Sequence, residues 1–341
     1  MVTGLEPLDR TIAAYKQPAN RHIADEQTTI SENQAEPDHF YSDDFDDDLA
    51  ENLIQKLPPV VINIVENHDT PKAIVTTLLN HITSYAILPE PLGGRAEAVV
   101  FVDCTNTFDV TSLHNTVLSR ASSAKTIENV YAGPDEQMVE SPLEMTLDHF
   151  HLISCRSTSS LITALEALPK YLLSDCHGSS NRILDTIIVY GINHFYWQDR
   201  LTADLARLEA GQYTSNNQIF QSANHVMKQL KHIQSIFDCT VIYTSDTEKL
   251  SRARDEEQGI DIYKQNSMVN VEIRDRSTDV PQFPAMMGLD ACLRDREQRQ
   301  ENVQARDYTI KVTAGGMSEA KGENSFEVKL DDGCLVVDNE V

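Results

Sequence analysis

A lysine, a hydroxyl and a carboxylate at the ends of parallel strands are the parts of a nucleotide-hydrolysing site. The apolar run 60–65 is followed by Glu66, Asn67, His68, Asp69, Thr70, Pro71, Lys72 and Ala73, and then by a helical pattern. A strand, a loop and a helix in that order occupy the place of a phosphate-binding loop. Such a loop needs glycines, so that backbone N–H groups can close around phosphates. It also needs a lysine for the outer phosphates and a Ser or Thr hydroxyl for Mg²⁺. Here there is no glycine, and Pro71 removes one donor N–H. Glu66 and Asp69 bring negative charge to a spot that should attract an anion. Lys72 is followed by Ala73, which offers no metal ligand, so Lys72 reads as a surface lysine.

The second part is an acidic residue at the end of a central strand, to hold Mg²⁺ and its water. The candidate strand 186–190 ends in Tyr190 and Gly191, and Asp185 precedes it at the wrong end. The third part is a carboxylate beyond the strand 98–102. Asp103, Cys104, Thr105, Asn106, Thr107, Phe108 and Asp109 lie there, and Asp103 reads as a cap for its own loop. Asp246, after Thr244 and Ser245, stands where related ATPases place a polar sensor, and no role is assigned to it. Histidines 68, 81, 149, 151, 177, 194, 225 and 232 show no metal-ligand spacing. His149 and His151 sit two apart in a strand pattern, which puts both rings on one face, with no third ligand nearby. No Ser/His/Asp arrangement is visible.

The elements that position these residues follow from periodicity. Short apolar runs at 60–65, 98–102, 151–155, 186–190 and 239–243 alternate with helical patterns at 74–85, 110–121, 161–172 and 217–237. Several runs are continuous and β-branched, as in parallel strands covered on both faces. One face of the first helix carries Leu78, Leu79 and Ile82. Another carries Val110, Leu113, Val117 and Leu118, and a third Leu161, Leu165, Leu168 and Leu172. Alternation of this kind predicts an α/β fold, with a mostly parallel sheet and right-handed crossovers. Strands at 268–274 and 308–313, and a hairpin of 326–330 with 334–337 around Asp331, Asp332 and Gly333, predict an antiparallel C-terminal extension.

Residues 1–57 differ in composition. Between His22 and Gln55 there is no Lys or Arg and there are eleven Asp or Glu. Five aspartates surround Phe45, with Phe40 and Tyr41 just before. Such a segment buries too little apolar surface to offset its ordering entropy. It reads as a disordered acidic tail, or as a docking segment that orders on a basic partner. The core domain then spans 58–341, with a mobile insertion at about 275–307 that includes the charged stretch 294–306. The formal net charge is −25 over 341 residues, which repels phosphate backbones and disfavours stand-alone nucleic-acid binding. The six cysteines form no C-x-x-C pair, and Cys104, Cys155 and Cys239 lie in or beside apolar runs, as reduced buried thiols do. No apolar h-region opens the chain and no run approaches a membrane span. A reduced intracellular compartment is expected.

A family resemblance rests on particular residues. Ala86, Ile87, Leu88 and Pro89, then Gly93 and Gly94, then 99–103, then Thr107, Phe108 and Asp109 resemble recombinase paralogs of the RecA superfamily. Within it, the pattern is similar to the subfamily of X-ray-repair-cross-complementing protein two. The run Phe195, Tyr196, Trp197, Gln198, Asp199 and Arg200 carries the most specific part of the likeness. It spans about 60–244, with a weaker echo in the C-terminal hairpin. The resemblance implies a RecA-like, P-loop-type three-layer fold. In its register the Mg²⁺-site aspartate falls on Tyr190 and the base carboxylate on Thr105. Counting back from Ile87 aligns Thr76 with the phosphate-loop Thr and Val75 with its lysine. Aligning Lys72 with that lysine instead needs about three extra residues. Neither register supplies Gly, Lys and Thr together.

The resemblance implies a non-catalytic recombinase paralog in double-strand break repair by homologous recombination, with no cofactor of its own and a nuclear location. Its partners would be another RecA-family paralog, a zinc-binding SWIM-domain protein as in a fungal Shu-type complex, and the main recombinase filament. Single-stranded DNA would be met within the complex. Phe45, Phe195, Tyr196, Trp197 and Arg200 are the interaction candidates, with the three aromatics either packing the end of the sheet or forming a contact or stacking surface. Arg200 and Asp199 are expected to form a local ion pair. The rival reading is an active DNA-dependent ATPase binding ATP and Mg²⁺ through Lys72 or Thr76. A third is a direct binder of single-stranded DNA.

Overall fold

A computed structural model describes residues 8–10, 60–66, 70, 72–123, 146–174, 178–210, 217–246, 262–275, 288, 291, 294, 307–314, 324–331 and 334–338. Phe45 lies outside these residues, as does nearly all of the stretch 275–307. The apolar runs pair into one nine-stranded sheet. Its strands in chain order are β1 Val61–Glu66, β2 Ala98–Asp103, β3 Phe150–Ser154, β4 Leu184–Tyr190, β5 Thr240–Asp246, β6 Val269–Asp275, β7 Asp307–Ala314, β8 Asn324–Asp331 and β9 Cys334–Asp338. The order across the sheet is β3-β2-β4-β5-β1-β6-β7-β8-β9. The six strands from β3 to β6 run parallel, and β7, β8 and β9 continue antiparallel. This is the RecA-like three-layer arrangement with its antiparallel C-terminal extension.

Two core clusters explain why the central strands read as continuous apolar runs. On one face, Ile62, Ile64, Val99, Phe101, Ile188 and Ile242 pack under the helices α1 (Lys72–Ile87) and α2 (Val110–Ser123). On the other, Val61, Val100, Val102, Ile187, Val189 and Val241 pack under α3 (Thr158–Leu172) and α5 (Asn217–Phe237). A strand covered on both faces needs an apolar residue at every position, not every second one. The first helix buries Leu78, Leu79 and Ile82 as expected. On α2, Leu113 and Val117 are buried but Val110 is 43% exposed, because it starts the helix outside the packed turn. Leu8, inside the stretch expected to be a tail, is a core residue of the first cluster. Helices α4 (Tyr196–Ala210) and α6 (Ile262–Asn266) are not among the elements that periodicity predicts.

The N-terminal ends of β2 and β4 are tied by charge. Arg95 reaches Glu97 Oε1 at 2.8 Å and Asp185 Oδ1 at 3.2 Å. Glu97 Oε2 is buried and meets no donor. Burial first, then the neighbouring Asp185 carboxylate, push the Glu97 carboxyl up to about 7, against the pull of Arg95. A proton on Glu97 lets it donate to Asp185, which is why the pair tolerates its closeness.

Candidate functional site

The C-terminal ends of the parallel strands converge on one place, where ligands bind in open α/β sheets. Asp103 ends β2 and turns its carboxylate onto the following loop. Its Oδ1 accepts from Thr105 N at 2.8 Å, Thr105 Oγ1 at 2.8 Å and Asn106 N at 2.9 Å. Its Oδ2 accepts from Phe108 N at 3.0 Å. Four hydrogen bonds commit this carboxylate to the loop, as expected of a cap. Asn106 takes a positive φ of 55° at the crest. Asp109 Oδ1 accepts from Thr111 N at 2.9 Å and so caps the start of α2.

Tyr190 ends β4 on the α1 face of the sheet and is 2% exposed. Its ring joins an aromatic group, 6.3 Å from Phe101, which in turn lies 4.1 Å from Phe108 and 5.9 Å from Phe150. Thr76 on α1 and Thr107 on the β2 loop are the hydroxyl groups nearest in effect to its phenol. Burial pushes the phenol up from its ordinary range, the two threonine contacts oppose that, and Glu66 adds to it. Thr107 Oγ1 lies 2.7 Å from Thr105 Oγ1. Thr76 Oγ1 donates to Lys72 O at 3.0 Å. Lys72 itself is exposed at the first position of α1, while Val75 is fully buried. Thr76, not Lys72, is among the groups that act on the Tyr190 phenol.

The turn after β4 is built to approach the β2 loop. Gly191 has φ +74°, and a Cβ there would stand 2.5 Å from Thr105 Cγ2. Its N–H donates to Thr244 Oγ1 at 2.8 Å. Asn193 is bidentate on Asp246: its Nδ2 donates to Asp246 O at 2.8 Å and its Oδ1 accepts from Asp246 N at 3.1 Å. The ends of β4 and β5 are therefore cross-tied by side chains, and the hydroxyls of Thr105 and Thr107 meet on the neighbouring β2 loop. Chemically, this set can donate and accept hydrogen bonds. Thr105 contributes only a hydroxyl.

The aromatic run divides. Phe195 is buried in the second cluster, in keeping with packing at the end of the sheet. Trp197 is 44% exposed, so that packing does not extend to it. Tyr196 meets the Trp197 ring edge-on at 5.2 Å, and the Arg200 guanidinium lies 5.8 Å from the indole centroid. The expected Arg200–Asp199 ion pair is absent. Asp199 accepts a hydrogen bond from Thr158 Oγ1 at the start of α3, and Arg200 lies 3.8 Å from Asp204, one helical turn on. A helix separates consecutive residues by about 100°, so neighbours 199 and 200 cannot face each other. With Trp197, Leu201, Leu205 and Leu208 make an exposed stripe along α4. The spacing of four, four and three is the signal that could have revealed this helix.

His149 and His151 do share a face. His149 Nδ1 lies 3.1 Å and His151 Nε2 2.8 Å from Ser179 Oγ, and His151 Nδ1 lies 2.9 Å from the Tyr171 hydroxyl. Ser179 Oγ donates to Asp148 O at 3.1 Å, so this network anchors residue 179 to the edge of the sheet. Among the described residues no three His, Cys, Asp or Glu side chains group to hold a metal ion.

No protein-family model matches the chain. Among curated proteins it is similar to DNA repair protein XRCC2 from Mus musculus, with 28% identity over 144 residues. That stretch is 42% of this chain and 45% of the mouse protein, so the match spans a little under half the length of this curated relative. Over the part that aligns, the chain is similar to XRCC2, and the order of its sheet is RecA-like.

Proposed function

We propose, from this XRCC2-like character, that the chain serves DNA repair by homologous recombination and does so without turning over nucleotide. The observation that carries the second half is Tyr190. Its buried ring ends the central strand β4, where the resemblance sets a metal-binding aspartate. An aromatic ring there excludes the hydrated Mg²⁺ on which phosphoryl transfer depends. The absence of loop glycines and the presence of Pro71 and Asp69 support the same reading.

In this reading the fold is kept for its surfaces. The chain acts in the nucleus as one subunit of a heteromeric complex that assists recombinase assembly on single-stranded DNA. Its partners are a second RecA-family paralog, a SWIM-domain zinc protein and the recombinase filament. The net charge of −25 leaves phosphate contact to the assembled complex. Trp197, Tyr196 and Arg200 on α4, with Phe45 in the acidic segment, are the contact candidates.

Two measurements test the halves separately. Affinity capture of the tagged full-length chain from cells with damaged DNA should recover a recombinase-family protein, and failure to do so refutes the repair role. Calorimetric titration with ATP and Mg²⁺ should give no binding heat. Micromolar binding lost in Lys72→Ala or Thr76→Ala refutes the non-catalytic half and favours the ATPase reading.

A further inference from the structure

The last in-register pair of β2 and β3 is Asp103 with Ser154. The next residues are Cys104 and Cys155. Cys155 N donates to Asp103 O at 2.9 Å and Cys104 N to Tyr190 O at 3.0 Å, so both cysteines stay on the ladder as the strands end. Strand alternation puts both thiols on the same side of the sheet as Val102, in the second core cluster. Neighbouring strands lie about 4.8 Å apart, inside the roughly 4.4–6.8 Å of Cα separation that a disulfide spans.

The pair is asymmetric. Cys155 stands two residues before Ser157, the N-cap of the 15-residue helix α3, whose capping box includes the Ser160 hydroxyl. The neighbouring Cys104 thiol, then the Ser160 hydroxyl, hold Cys155 below the ordinary thiol range against the cost of burial. The neighbouring Cys155 thiol, burial and Asp103 push Cys104 the other way. A helix N-terminus favours a thiolate. Cys239 supplies the contrast: it is also buried, and burial pushes its thiol up to about 12.

We infer that Cys104 and Cys155 form a peroxide-sensitive dithiol, with Cys155 as the nucleophile and Cys104 as the resolving thiol. The Cys155 thiolate attacks one peroxide oxygen. An S–O bond forms, the O–O bond breaks and hydroxide leaves, giving a sulfenic acid. Hydroxide takes the Cys104 proton. The Cys104 sulfur attacks the sulfenic sulfur, the S–S bond forms, the S–O bond breaks and a second hydroxide leaves to be protonated. In sum two thiols and hydrogen peroxide give one disulfide and two waters, with two electrons passing from sulfur to peroxide. Exposures of 0% and 1% select an oxidant of the size of water over a bulky disulfide such as oxidised glutathione. The bridge would fasten the loop that carries Thr105 and Thr107 to the edge strand.

The test uses the full chain, fully reduced and then exposed to hydrogen peroxide at neutral pH. Thiols are blocked under denaturing conditions and peptides are mapped by mass. The expected product is a linked peptide pair containing Cys104 and Cys155, lighter by two hydrogens, formed at least tenfold faster than any oxidation of Cys239. Oxidised glutathione in place of peroxide should leave both thiols free to be blocked. Cys104→Ser should stop Cys155 at the sulfenic acid, which a dimedone probe traps. Full recovery of both thiols after peroxide, or a bridge from either to another cysteine, overturns the inference, and this readout on the unmutated chain depends on no variant folding.

Discussion

Replacing Glu97 by glutamine should make the chain more stable at pH 8 and nearly abolish one component of its pH dependence. Glu97 is raised from 4.5 to about 7, and its side chain is 15% exposed beside Arg95 and Asp185. Between those two values the folded chain binds a proton that the unfolded chain has released. Stability from this group is therefore full below about pH 4.5, falls as pH rises through the window, and is gone above about pH 7. A difference of 2.5 between 7 and 4.5 corresponds to about 3–4 kcal/mol at about 1.4 kcal/mol per unit, most of which is lost between pH 5 and pH 8. The glutamine side chain imitates the protonated form: its carbonyl accepts from Arg95 and its amide donates to Asp185. The assay is urea unfolding of parent and Glu97→Gln chains from pH 5 to pH 8. Subtracting the two curves removes groups such as His149, whose lowered pKa acts in the opposite sense, from burial first and then Arg182. The variant should gain about 2–3 kcal/mol relative to the parent over that range. A pH-independent difference, or a variant that weakens toward pH 8, would refute the shared-proton description of Glu97 and Asp185.

Further outcomes concern the strand ends. Tyr190→Ala should cost about 3–5 kcal/mol through the vacated ring, whereas Tyr190→Phe, which keeps the ring, should cost no more than about 1 kcal/mol, both read from urea midpoints. Gly191→Ala should destabilise by about 1–3 kcal/mol, because φ is +74° and the new methyl meets Thr105 Cγ2 at 2.5 Å. Thr105→Ser in that background should recover part of the loss but not all of it, since the backbone strain stays; a double-mutant cycle measures the coupling. Asp103→Asn should cost about 2–3 kcal/mol by thermal or urea unfolding, because an amide nitrogen must replace one of the oxygens that accept from Thr105, Asn106 and Phe108.

Much of the sheet is legible in the sequence because local and global preferences agree. The runs that form β1, β2, β4 and β5 are β-branched and unbroken, which only burial on both faces explains, and α5 matches its expected bounds 217–237. The resemblance sets Tyr190 in the register of a metal carboxylate. What its ring touches cannot be read there, because Phe101 and Tyr190 are 89 positions apart and meet only through the parallel pairing of β2 and β4. The rival registers of Lys72 and Thr76 differ by one turn of a helix whose start no local residue fixes. Helix α4 escapes for another reason. Its large apolar residues face outward, so they match no expected core face, while its buried side offers little more than Ala203. The Arg200–Asp199 expectation fails because adjacency in sequence is not adjacency in space once the stretch is helical.

The position of β1 has a consequence for synthesis. It is the first strand of the sheet to be made, yet it pairs only with β5 and β6, and Val61 meets Val241 across 180 residues. At about 5–20 residues per second, roughly 10–40 seconds pass between the emergence of this strand and of its first neighbour. Through that interval Val61, Ile62, Ile64 and Val65 have no ladder to join, and β2 and β4 can pair with each other but not with them. The ribosome-bound chain therefore carries one of its most buried strands uncovered for most of its translation, and slowing or pausing translation before residue 240 should raise its demand for chaperones.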